Sequence, residues 1–373
     1  MRRHTPYHHQ FTALGAQFVD RIGFAAAYVF TSIPAEHRAV REQVGLLDVY
    51  YQVAIQVAGN DAAAVLAQAL VADTERQPVG RVAYAAPCNE AGGMIDDLTC
   101  FRLAEDCFWL YPTPSRCANS MAAVQKAAQG RNATVTNLGY KSAYISVQGP
   151  NSRALLQQLT STDLSNSALP YFSFIHGTLA EVPDVLISRT GYSGELGYEL
   201  FYPSEYAEHM LSMLLETGRP LGVQPCGLGA LRSLRIEKRY PLYGLDVDET
   251  TSPYEAGVGW TVKLQKPAFV GRAALEKQKT QGVSRRLVLI ALAADAPAPA
   301  IRAAVMSNGK QIGSVTSADK GHSVGRMLAM AYISTDSAAN GSAVSVTGPD
   351  GAALPGVVYT GAIYDPEGSR LRS

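Results

Sequence analysis

The 373-residue sequence predicts an α+β fold that ends in a separate antiparallel β-barrel domain. Up to about residue 284, helical patterns alternate with strand-like runs, and neighbouring strands often follow each other directly, as hairpins do. Beyond that point the helical patterns stop and only short strand-like runs remain. Because parallel strands need a crossover connection between them, this order favours α+β packing over a doubly wound parallel sheet.

Six segments in the first part carry apolar residues at helical spacing. Gly59-Asn60 before one of them and Pro150 before another are typical of helix starts. The predicted helices are residues 36–44, 61–71, 115–129, 151–159, 204–217 and 227–239. The predicted strands are residues 49–57, 82–86, 99–103, 107–111, 143–147, 184–188 and 198–202.

The C-terminal part consists of short strands separated by turn residues, as in small barrels and sandwiches. Asn308-Gly309 lies between two of these strands and is a strong signal for a two-residue hairpin. The predicted strands are residues 286–292, 303–306, 311–317, 328–333, 343–347 and 357–363. We therefore predict two parts, residues 1–284 and residues 285–373.

Composition excludes several classes of function. Lys plus Arg equals Asp plus Glu at 32 each, so the chain lacks the basic excess of a nucleic-acid-binding protein. We find no apolar run of about 18 residues that predicts a membrane span, and no secretory signal. The five cysteines are odd in number and include no CxxC pair, and the histidines show no metal-ligand spacing. We expect a cytoplasmic protein with no nucleic-acid, membrane or metal partner.

The segment SRTGYSGELGYELFYP, residues 188–203, is the most informative of the chain. Its three regularly spaced glycines predict a folded-over loop that enters a strand. Alternation places Tyr198 and Tyr202 on one face of that strand and Glu199 with Phe201 on the other. A carboxylate among apolar neighbours needs a partner or a shifted pKa. That partner is either a ligand with paired N–H donors, or an arginine or backbone amide of the protein.

Two other segments place charged residues within apolar patterns, a departure that is typical of functional sites. Asp96 and Asp97 interrupt a strand-like run, so either one side chain faces inward or a β-bulge leaves both exposed. In the helix at residues 227–239, Arg235 either anchors a substrate carboxylate or pairs with Glu237 or Asp248.

In their order along the chain, these segments resemble the aminomethyltransferase (glycine-cleavage T-protein) family of tetrahydrofolate-dependent one-carbon transferases. The resemblance covers HTPYHHQFTALGAQFVD, VREQVGLLDV, CNEAGGMIDDLT, ISVQGPNSRALL, SRTGYSGELGYE, PCGLGALRSLRIEKRYPLYGLDVDETTSPYEAGVGW, FVGRAAL and IGSVTSADKGHSVGRMLAMAYI. It implies a multi-domain, cloverleaf-like fold in which residues 1–284 form two intertwined α+β subdomains around a central folate cavity, followed by the barrel.

The resemblance also implies roles for individual residues. Asp97 matches the family's catalytic carboxylate, close to the reactive nitrogens of tetrahydrofolate, and Glu199 matches the residue that binds the N–H edge of the pterin. This role suits a carboxylate, which accepts paired N–H donors in charge-assisted hydrogen bonds. The residues that match positions lining or flanking the cavity are Tyr84, Tyr171, Tyr192 and Arg189.

The sequence departs from the family pattern at four places, one of which is the GW pair near the N-terminus of the glycine-cleavage enzymes, here Gly23-Phe24. The family's DVSHM is DVYYQ at residues 48–52, its VVNAAN is YPTPSR at residues 111–116, and its GLGARD is GLGALR, which places Arg232 one residue after the family arginine. We interpret these departures as marking the donor site. Tyr50, Tyr51 and Arg232 are predicted to bind the donor, with Tyr111 contributing to an aromatic-lined pocket.

The sequence therefore predicts a demethylase that transfers a methyl or methylene group from an N-, S- or O-methylated small molecule to N5 of tetrahydrofolate. The departures argue against an aminomethyl-lipoyl carrier protein as donor. Three alternatives stay open: glycine-cleavage-type aminomethyl transfer from a lipoyl carrier, methylene donation in the reverse direction, and a folate-binding regulator without transfer chemistry.

Overall fold

The computed structural model describes residues 2–373, within which helices and strands are mixed along the chain. The α-helices are α1 (His8–Ala13), α2 (Ile33–Glu42), α3 (Ala62–Ala69), α4 (Cys117–Ala128), α5 (Ser152–Gln157), α6 (Ala207–Gly218), α7 (Leu228–Glu237), α8 (Pro253–Ala256) and α9 (Arg272–Gln281). The strands before the barrel are β1 (Arg3–His4), β2 (Gln17–Arg21), β3 (Phe24–Val29), β4 (Val44–Asp48), β5 (Ala54–Ala58), β6 (Val82–Ala85), β7 (Leu98–Ala104), β8 (Cys107–Pro112), β9 (Thr134–Gly139), β10 (Ser142–Gln148), β11 (Phe174–Leu179), β12 (Val182–Ser188), β13 (Gly197–Pro203) and β14 (Val223–Cys226). Those of the barrel are β15 (Arg285–Leu292), β16 (Ala304–Ser307), β17 (Lys310–Gly321), β18 (Arg326–Ser334), β19 (Ala343–Thr347) and β20 (Ala353–Tyr359).

A six-stranded sheet with the order β11-β12-β13-β10-β4-β14 forms the centre of the first part. Its strands are antiparallel except β14, which runs parallel to β4. One face packs against α1, α5 and α6 through residues such as Phe11, Leu155 and Leu211, which are completely buried. The alternation predicted for β13 is confirmed, because Tyr198 and Tyr202 lie in this core and Phe201 lies in another.

A five-stranded sheet with the order β6-β7-β8-β5-β9 packs one face against α3 and α4. The other face of this sheet supplies Phe101 and Tyr111 to an aromatic core. Tyr144 and Phe201 of the six-stranded sheet enter the same core. The two sheets therefore meet face to face, and Glu199 lies on the face that points to this shared core.

The last six strands close into an antiparallel barrel, in which β15 pairs with both β18 and β20. Asn308 and Gly309 connect β16 to β17 with φ angles of 48° and 75°, as a tight hairpin turn requires. Helix α7 packs on the outside of the barrel, where Ile236 contacts Leu287 and Met330. A short three-stranded sheet, β1-β3-β2, completes the fold.

The predicted α+β class and the C-terminal barrel are confirmed. The predicted strand at residues 49–57 is confirmed only for residues 54–57, which lie in β5, because the amide of Gln52 donates to the carbonyl of Val49 in a turn that separates β4 from β5. The helix predicted to reach Val44 ends at Glu42, and Val44 begins β4. The division into domains at residue 284 stays a prediction. Within residues 2–373, the helices are too short or too polar to cross a bilayer.

Candidate active site

The glycine-rich loop between β12 and β13 is built around one buried amide, that of Gln148. Its Oε1 accepts a hydrogen bond from the hydroxyl of Ser193 at 2.6 Å, and its Nε2 donates to the carbonyl of Thr190 at 3.2 Å. A Cβ atom at Gly191 or at Gly197 would lie 2.2 Å from Oε1 of Gln148. Glycine is required at both positions by this close approach, which holds the loop against the start of β13.

Glu199 lies three residues into β13, on the face that points to the aromatic core. It pairs in register with Ser146 of β10 and Ser188 of β12, so its backbone is held on both sides. The hydroxyl of Thr190 donates to Oε2 of Glu199 at 2.5 Å. Burial raises the pKa of Glu199, and hydrogen bonds from Thr190 and Tyr144 oppose this effect. Its protein partners are therefore hydroxyl groups, rather than the arginine or backbone amide that the sequence left open.

Asp97 lies immediately before β7, at the edge of the five-stranded sheet. The hydroxyl of Tyr84 donates to its Oδ2 at 2.7 Å, and the hydroxyl of Thr113 donates to its Oδ1 at 3.3 Å. Burial raises the pKa of Asp97, and these two hydrogen bonds lower it. The neighbouring Asp96 is completely buried, so the alternative with two exposed carboxylates is wrong. The pair precedes Leu98, the first residue of the strand, and strand alternation therefore does not govern it.

Tyr192 and Tyr240 extend the site from Asp97. Tyr192 stacks on Tyr240 with ring centroids 5.7 Å apart, and its hydroxyl donates to the carbonyl of Pro241 at 2.5 Å. Burial raises the pKa of Tyr192; the charge of Arg235 opposes this rise, and that of Asp97 adds to it. The ring of Tyr192 is therefore within electrostatic reach of the Asp97 carboxylate.

Tyr171 connects this group to the second carboxylate. Burial raises the pKa of Tyr171. The charge of Tyr240 and its hydrogen bond raise this pKa further, as does the charge of Glu199. Of the predicted cavity residues, Tyr84 is hydrogen-bonded to Asp97. The charge of Asp97 acts on Tyr192, and that of Glu199 acts on Tyr171.

Arg189 has a different environment from the one predicted. Its guanidinium is completely buried and donates to the carbonyls of Leu371 at 3.0 Å and Ser373 at 2.9 Å, and to Oδ1 of Asn166 at 2.7 Å. Its guanidinium also lies 5.6 Å from the ring centroid of Tyr198, which belongs to the helix-covered core, on the face of β13 opposite to Glu199. Arg189 therefore binds the C-terminal segment of the chain and does not line the cavity.

The predicted donor residues Tyr50 and Tyr51 lie in a packed aromatic cluster. The hydroxyl of Tyr50 donates to the carbonyl of Tyr140 at 2.8 Å, and Tyr51 is only 5% exposed. Guanidinium groups of the chain already cover rings here: Arg21 lies 5.9 Å from the ring centroid of Tyr51, and Arg3 lies 4.9 Å from that of Tyr140. These cations occupy the kind of position that a methylated cationic donor would take.

Arg232 lies apart from that pair of tyrosines, whereas Tyr111 shares the aromatic core with Tyr51. The side chain of Arg232 is about half exposed, and its Nε lies 3.7 Å from the carboxylate of Asp319 in β17. Tyr111 packs against Phe201 with ring centroids 4.7 Å apart, beside the cavity face of β13. A donor-binding role for Tyr50, Tyr51 and Arg232 stays a prediction.

Arg235 is paired inside the protein with a residue that the sequence analysis did not consider. Its Nη1 lies 2.6 Å from Oδ2 of Asp246, and both side chains are buried. The hydroxyls of Thr316 and Ser317 in β17 donate to the other oxygen of Asp246 at 2.5 and 2.7 Å. The expected pairing with Glu237 or Asp248 is therefore wrong, and Arg235 connects α7 to the barrel.

The sequence analysis did not identify several residues of the site. Thr113 and Thr190 donate to the two carboxylates, yet single hydroxyl residues in loops have no distinguishing pattern. Trp260 is 63% exposed and stacks on Tyr84 with ring centroids 6.0 Å apart. The sequence does not predict this exposure. Trp260 follows the short helix α8, whose start is fixed by a capping box.

The chemistry of this donor set suits a flat ligand with N–H donors. Tyrosine rings offer faces to an aromatic system, and two partly buried carboxylates accept from N–H groups. Both properties fit the pterin of tetrahydrofolate. Within residues 2–373, no group of His, Cys, Asp and Glu side chains is placed to hold a metal ion.

Comparisons with known proteins match most of the chain to the family that the sequence resembles. The model of the GCVT N-terminal domain matches residues 7–266, and that of the glycine cleavage T-protein C-terminal barrel domain matches residues 285–365. The chain is 38% identical over 342 residues to an aminomethyltransferase of Halothermothrix orenii, covering 92% of this chain and 94% of the relative. It is 34% identical over 347 residues to an aminomethyltransferase of Bacillus subtilis, covering 93% and 95%.

A solved structure gives the same result at the level of the fold. The crystal structure of glycine cleavage system aminomethyltransferase T from Bartonella henselae superposes with a TM-score of 0.89 at 28% identity, covering 98% of this chain and 99% of that one. From the two domain matches and these relatives, the chain belongs to the glycine cleavage T-protein family of tetrahydrofolate-dependent transferases.

Proposed function

We propose that the protein transfers the carbon of an aminomethyl group from a lipoyl carrier to tetrahydrofolate, with release of ammonia. The observation that carries the proposal is the pair of partly buried carboxylates, Glu199 and Asp97, each held by hydrogen bonds from hydroxyl groups. The names of the relatives, which are aminomethyltransferases, support this reaction over the demethylation that the sequence analysis favoured.

Each carboxylate has a distinct task in this reaction. When bound, tetrahydrofolate supplies the two nitrogens, N5 and N10, that take up the carbon. Glu199 accepts hydrogen bonds from the N–H edge of the pterin and fixes its orientation. Asp97 stabilises the positive charge that develops at the reacting nitrogens, and its raised pKa suits it to accept a proton from them.

The bond changes balance without an oxidant or reductant. The bonds from the carbon to the amine and to the carrier sulfur break, and bonds from the carbon to N5 and N10 form. The amine leaves as ammonia, and the sulfur leaves as a thiol. The protein contributes mainly by holding the two reactants in line, since proximity lowers the barrier of such transfers.

A second candidate is transfer from a methylated small molecule. The segment DVYYQ at residues 48–52 favours it, because it introduces two aromatic residues where the resembled family has Ser and His. Against it, Arg21 and Arg3 already cover rings of this cluster. We therefore rank it below aminomethyl transfer.

The test uses the purified full-length protein with tetrahydrofolate and an aminomethylated lipoyl carrier. Ammonia and methylene-tetrahydrofolate formed in equal amounts would establish the proposed reaction, and the Asp97→Asn variant serves as the inactive control. Parallel reactions contain N-, S- and O-methylated compounds in place of the carrier. Turnover only in those reactions would establish the second candidate, and folate binding without turnover in any of them would establish the regulator.

A further inference from the structure

Asp96 is a buried carboxylate that the proposed reaction does not use. It is 0% exposed, and its oxygens accept three hydrogen bonds. Oδ1 accepts from the backbone amide of Asp97 at 2.9 Å. Oδ2 accepts from the hydroxyl of Ser120 at 2.6 Å and from the backbone amide of Thr113 at 3.1 Å. Two of the three donors therefore belong to Asp97 itself and to a residue that contacts it.

Thr113 completes a closed set of contacts. While its backbone amide is held by Asp96, its hydroxyl donates to Oδ1 of Asp97 at 3.3 Å. Pro112 and Pro114 flank it, and it has an extended backbone with φ −54° and ψ 130°. The residue before a proline is restricted to extended conformations, so the local sequence itself sets the backbone from which this hydroxyl projects.

We propose that Asp96 and Thr113 are positioning residues that hold the carboxylate of Asp97 in the orientation required for one-carbon transfer. This inference rests on the role given to Asp97 in the proposed function. Tyr84 binds one oxygen of Asp97 and Thr113 binds the other, so together they fix the plane of the carboxylate. Asp96 anchors the backbone amides of Asp97 and Thr113.

The inference concerns a feature of this particular chain. Thr113 lies in the segment YPTPSR, residues 111–116, one of those that departs from the family pattern. A hydroxyl at this place gives Asp97 a second donor in addition to Tyr84. Since a misplacement of about 1 Å in a reacting group costs on the order of 100-fold in rate, a donor that limits rotation of the carboxylate has a measurable effect.

The test compares Thr113→Val with Thr113→Ser, which differ in the presence of the hydroxyl. We expect Thr113→Val to lower kcat about 10-fold, with the KM for tetrahydrofolate changed less than about 2-fold, because Glu199 and not Asp97 holds the pterin. Thr113→Ser restores kcat to within about 2-fold of the wild type. Asp96→Asn, which places an amide N–H against a backbone or hydroxyl donor, lowers kcat by a similar or larger factor.

A second measurement does not depend on turnover. The titration of Asp97 is followed by the 13C signal of its carboxyl group, assigned with the Asp97→Asn variant. Because the hydrogen bond from Thr113 lowers the pKa of Asp97, Thr113→Val should raise the titration midpoint and Thr113→Ser should return it.

The outcomes separate this inference from the proposed function. A wild type that shows no transfer from the aminomethylated carrier removes the proposed function, and the 13C titration still decides whether Thr113 holds Asp97. An active wild type whose Thr113→Val and Thr113→Ser variants share the same kcat and the same midpoint overturns the inference. A change of KM alone also overturns it, since that would place Thr113 in folate binding.

Discussion

Asp97 is held by two hydroxyl groups on opposite oxygens, and no cation of the protein is hydrogen-bonded or ion-paired to it within residues 2–373. Its charge is thus available to the substrate. Replacing Asp97 with Asn keeps the shape and one acceptor but removes this charge. We expect turnover to fall about 100-fold or more, the magnitude typical of a lost electrostatic contact in a transition state.

Binding of tetrahydrofolate should hardly change in the same variant. The dissociation constant, measured by equilibrium titration, is expected to stay within about 3-fold of the wild type, because the variant keeps Glu199, the proposed pterin-binding residue. A parallel loss of affinity and turnover would contradict the separate roles of the two carboxylates.

Glu199 gives the opposite prediction. Glu199→Gln replaces a charged acceptor with an amide, one side of which repels N–H donors. Charge-assisted hydrogen bonds contribute about 1.5–3 kcal/mol, so the affinity for tetrahydrofolate should fall at least about 10-fold. The exposed Glu208 on α6 provides a matched control, and Glu208→Gln should bind like the wild type. Unchanged affinity in Glu199→Gln would refute the binding role.

Local sequence rules predict some of the contacts of these site residues and not others. The face of β13 that carries Glu199 followed from strand alternation, a local rule that needs only neighbouring residues. The partner of Arg235 did not follow, because Asp246 reaches it through a turn whose shape depends on the barrel. The second donor to Asp97 was equally hidden, since Thr113 is brought to it by the pairing of β7 with β8.

At the scale of elements, the long periodic segments were predictable, and their ends and shorter neighbours were not. All six predicted helices overlap helices of the structure, and Asn308-Gly309 forms the predicted hairpin turn. The strand predicted at residues 49–57 begins five residues too early, because an apolar run does not reveal that the turn before β5 is buried between sheets. Helix α9 was missed because only Leu275 of its ten residues is buried.

Gly197 in the glycine-rich loop should contribute measurably to the stability of the fold. A methyl group at Gly197 would lie 2.2 Å from Oε1 of Gln148, so Gly197→Ala must displace the amide that holds the loop. Overpacking and the loss of buried hydrogen bonds should together lower the free energy of unfolding by about 2–3 kcal/mol, measured by urea denaturation. Gly361→Ala is the matched control, because a Cβ there has no neighbour within 4 Å.

A double-mutant cycle tests the cause. In a Gln148→Ala background the obstructing amide is absent, so adding Gly197→Ala should cost less than about 1 kcal/mol. An equal cost in both backgrounds would show that the glycine is needed for backbone reasons and not for the close approach of Gln148.

At the scale of the whole molecule, Glu237 connects parts that are distant in sequence. Its Oε2 lies 2.7 Å from Nη2 of Arg41 in α2, and its Oε1 accepts from the backbone amide of Ser323 in the barrel at 2.7 Å. Arg41 in turn lies 3.0 Å from the carboxylate of Glu195 in the glycine-rich loop. One buried cluster therefore joins a helix of the first part, the glycine-rich loop and the barrel. Sequence patterns do not reveal it, because its members lie far apart along the chain.

Because of this cluster, the free energy of unfolding should decrease as the pH falls. Burial by itself raises the pKa of Glu237, but hydrogen bonds and charges from His37 and Arg41 outweigh it and lower the pKa from 4.5 to about 2. The unfolded chain therefore binds a proton more readily than the folded protein. The stabilisation is complete above about pH 4.5 and is lost as the pH falls towards 2, with a total of roughly 3 kcal/mol at about 1.4 kcal/mol per pH unit.

Comparison with Glu237→Gln isolates this contribution. The difference in unfolding free energy between wild type and variant should shrink by roughly 2 kcal/mol between about pH 5.5 and pH 3, in urea denaturation at each pH. Glu276→Gln removes a carboxylate that is about half exposed and pairs with Arg272 on the surface of α9, so its curve should run parallel to that of the wild type. An unfolding free-energy difference between wild type and Glu237→Gln that is the same at pH 3 and pH 5.5 would mean that the charge of Glu237 does not stabilise the contact between the barrel and the rest of the fold.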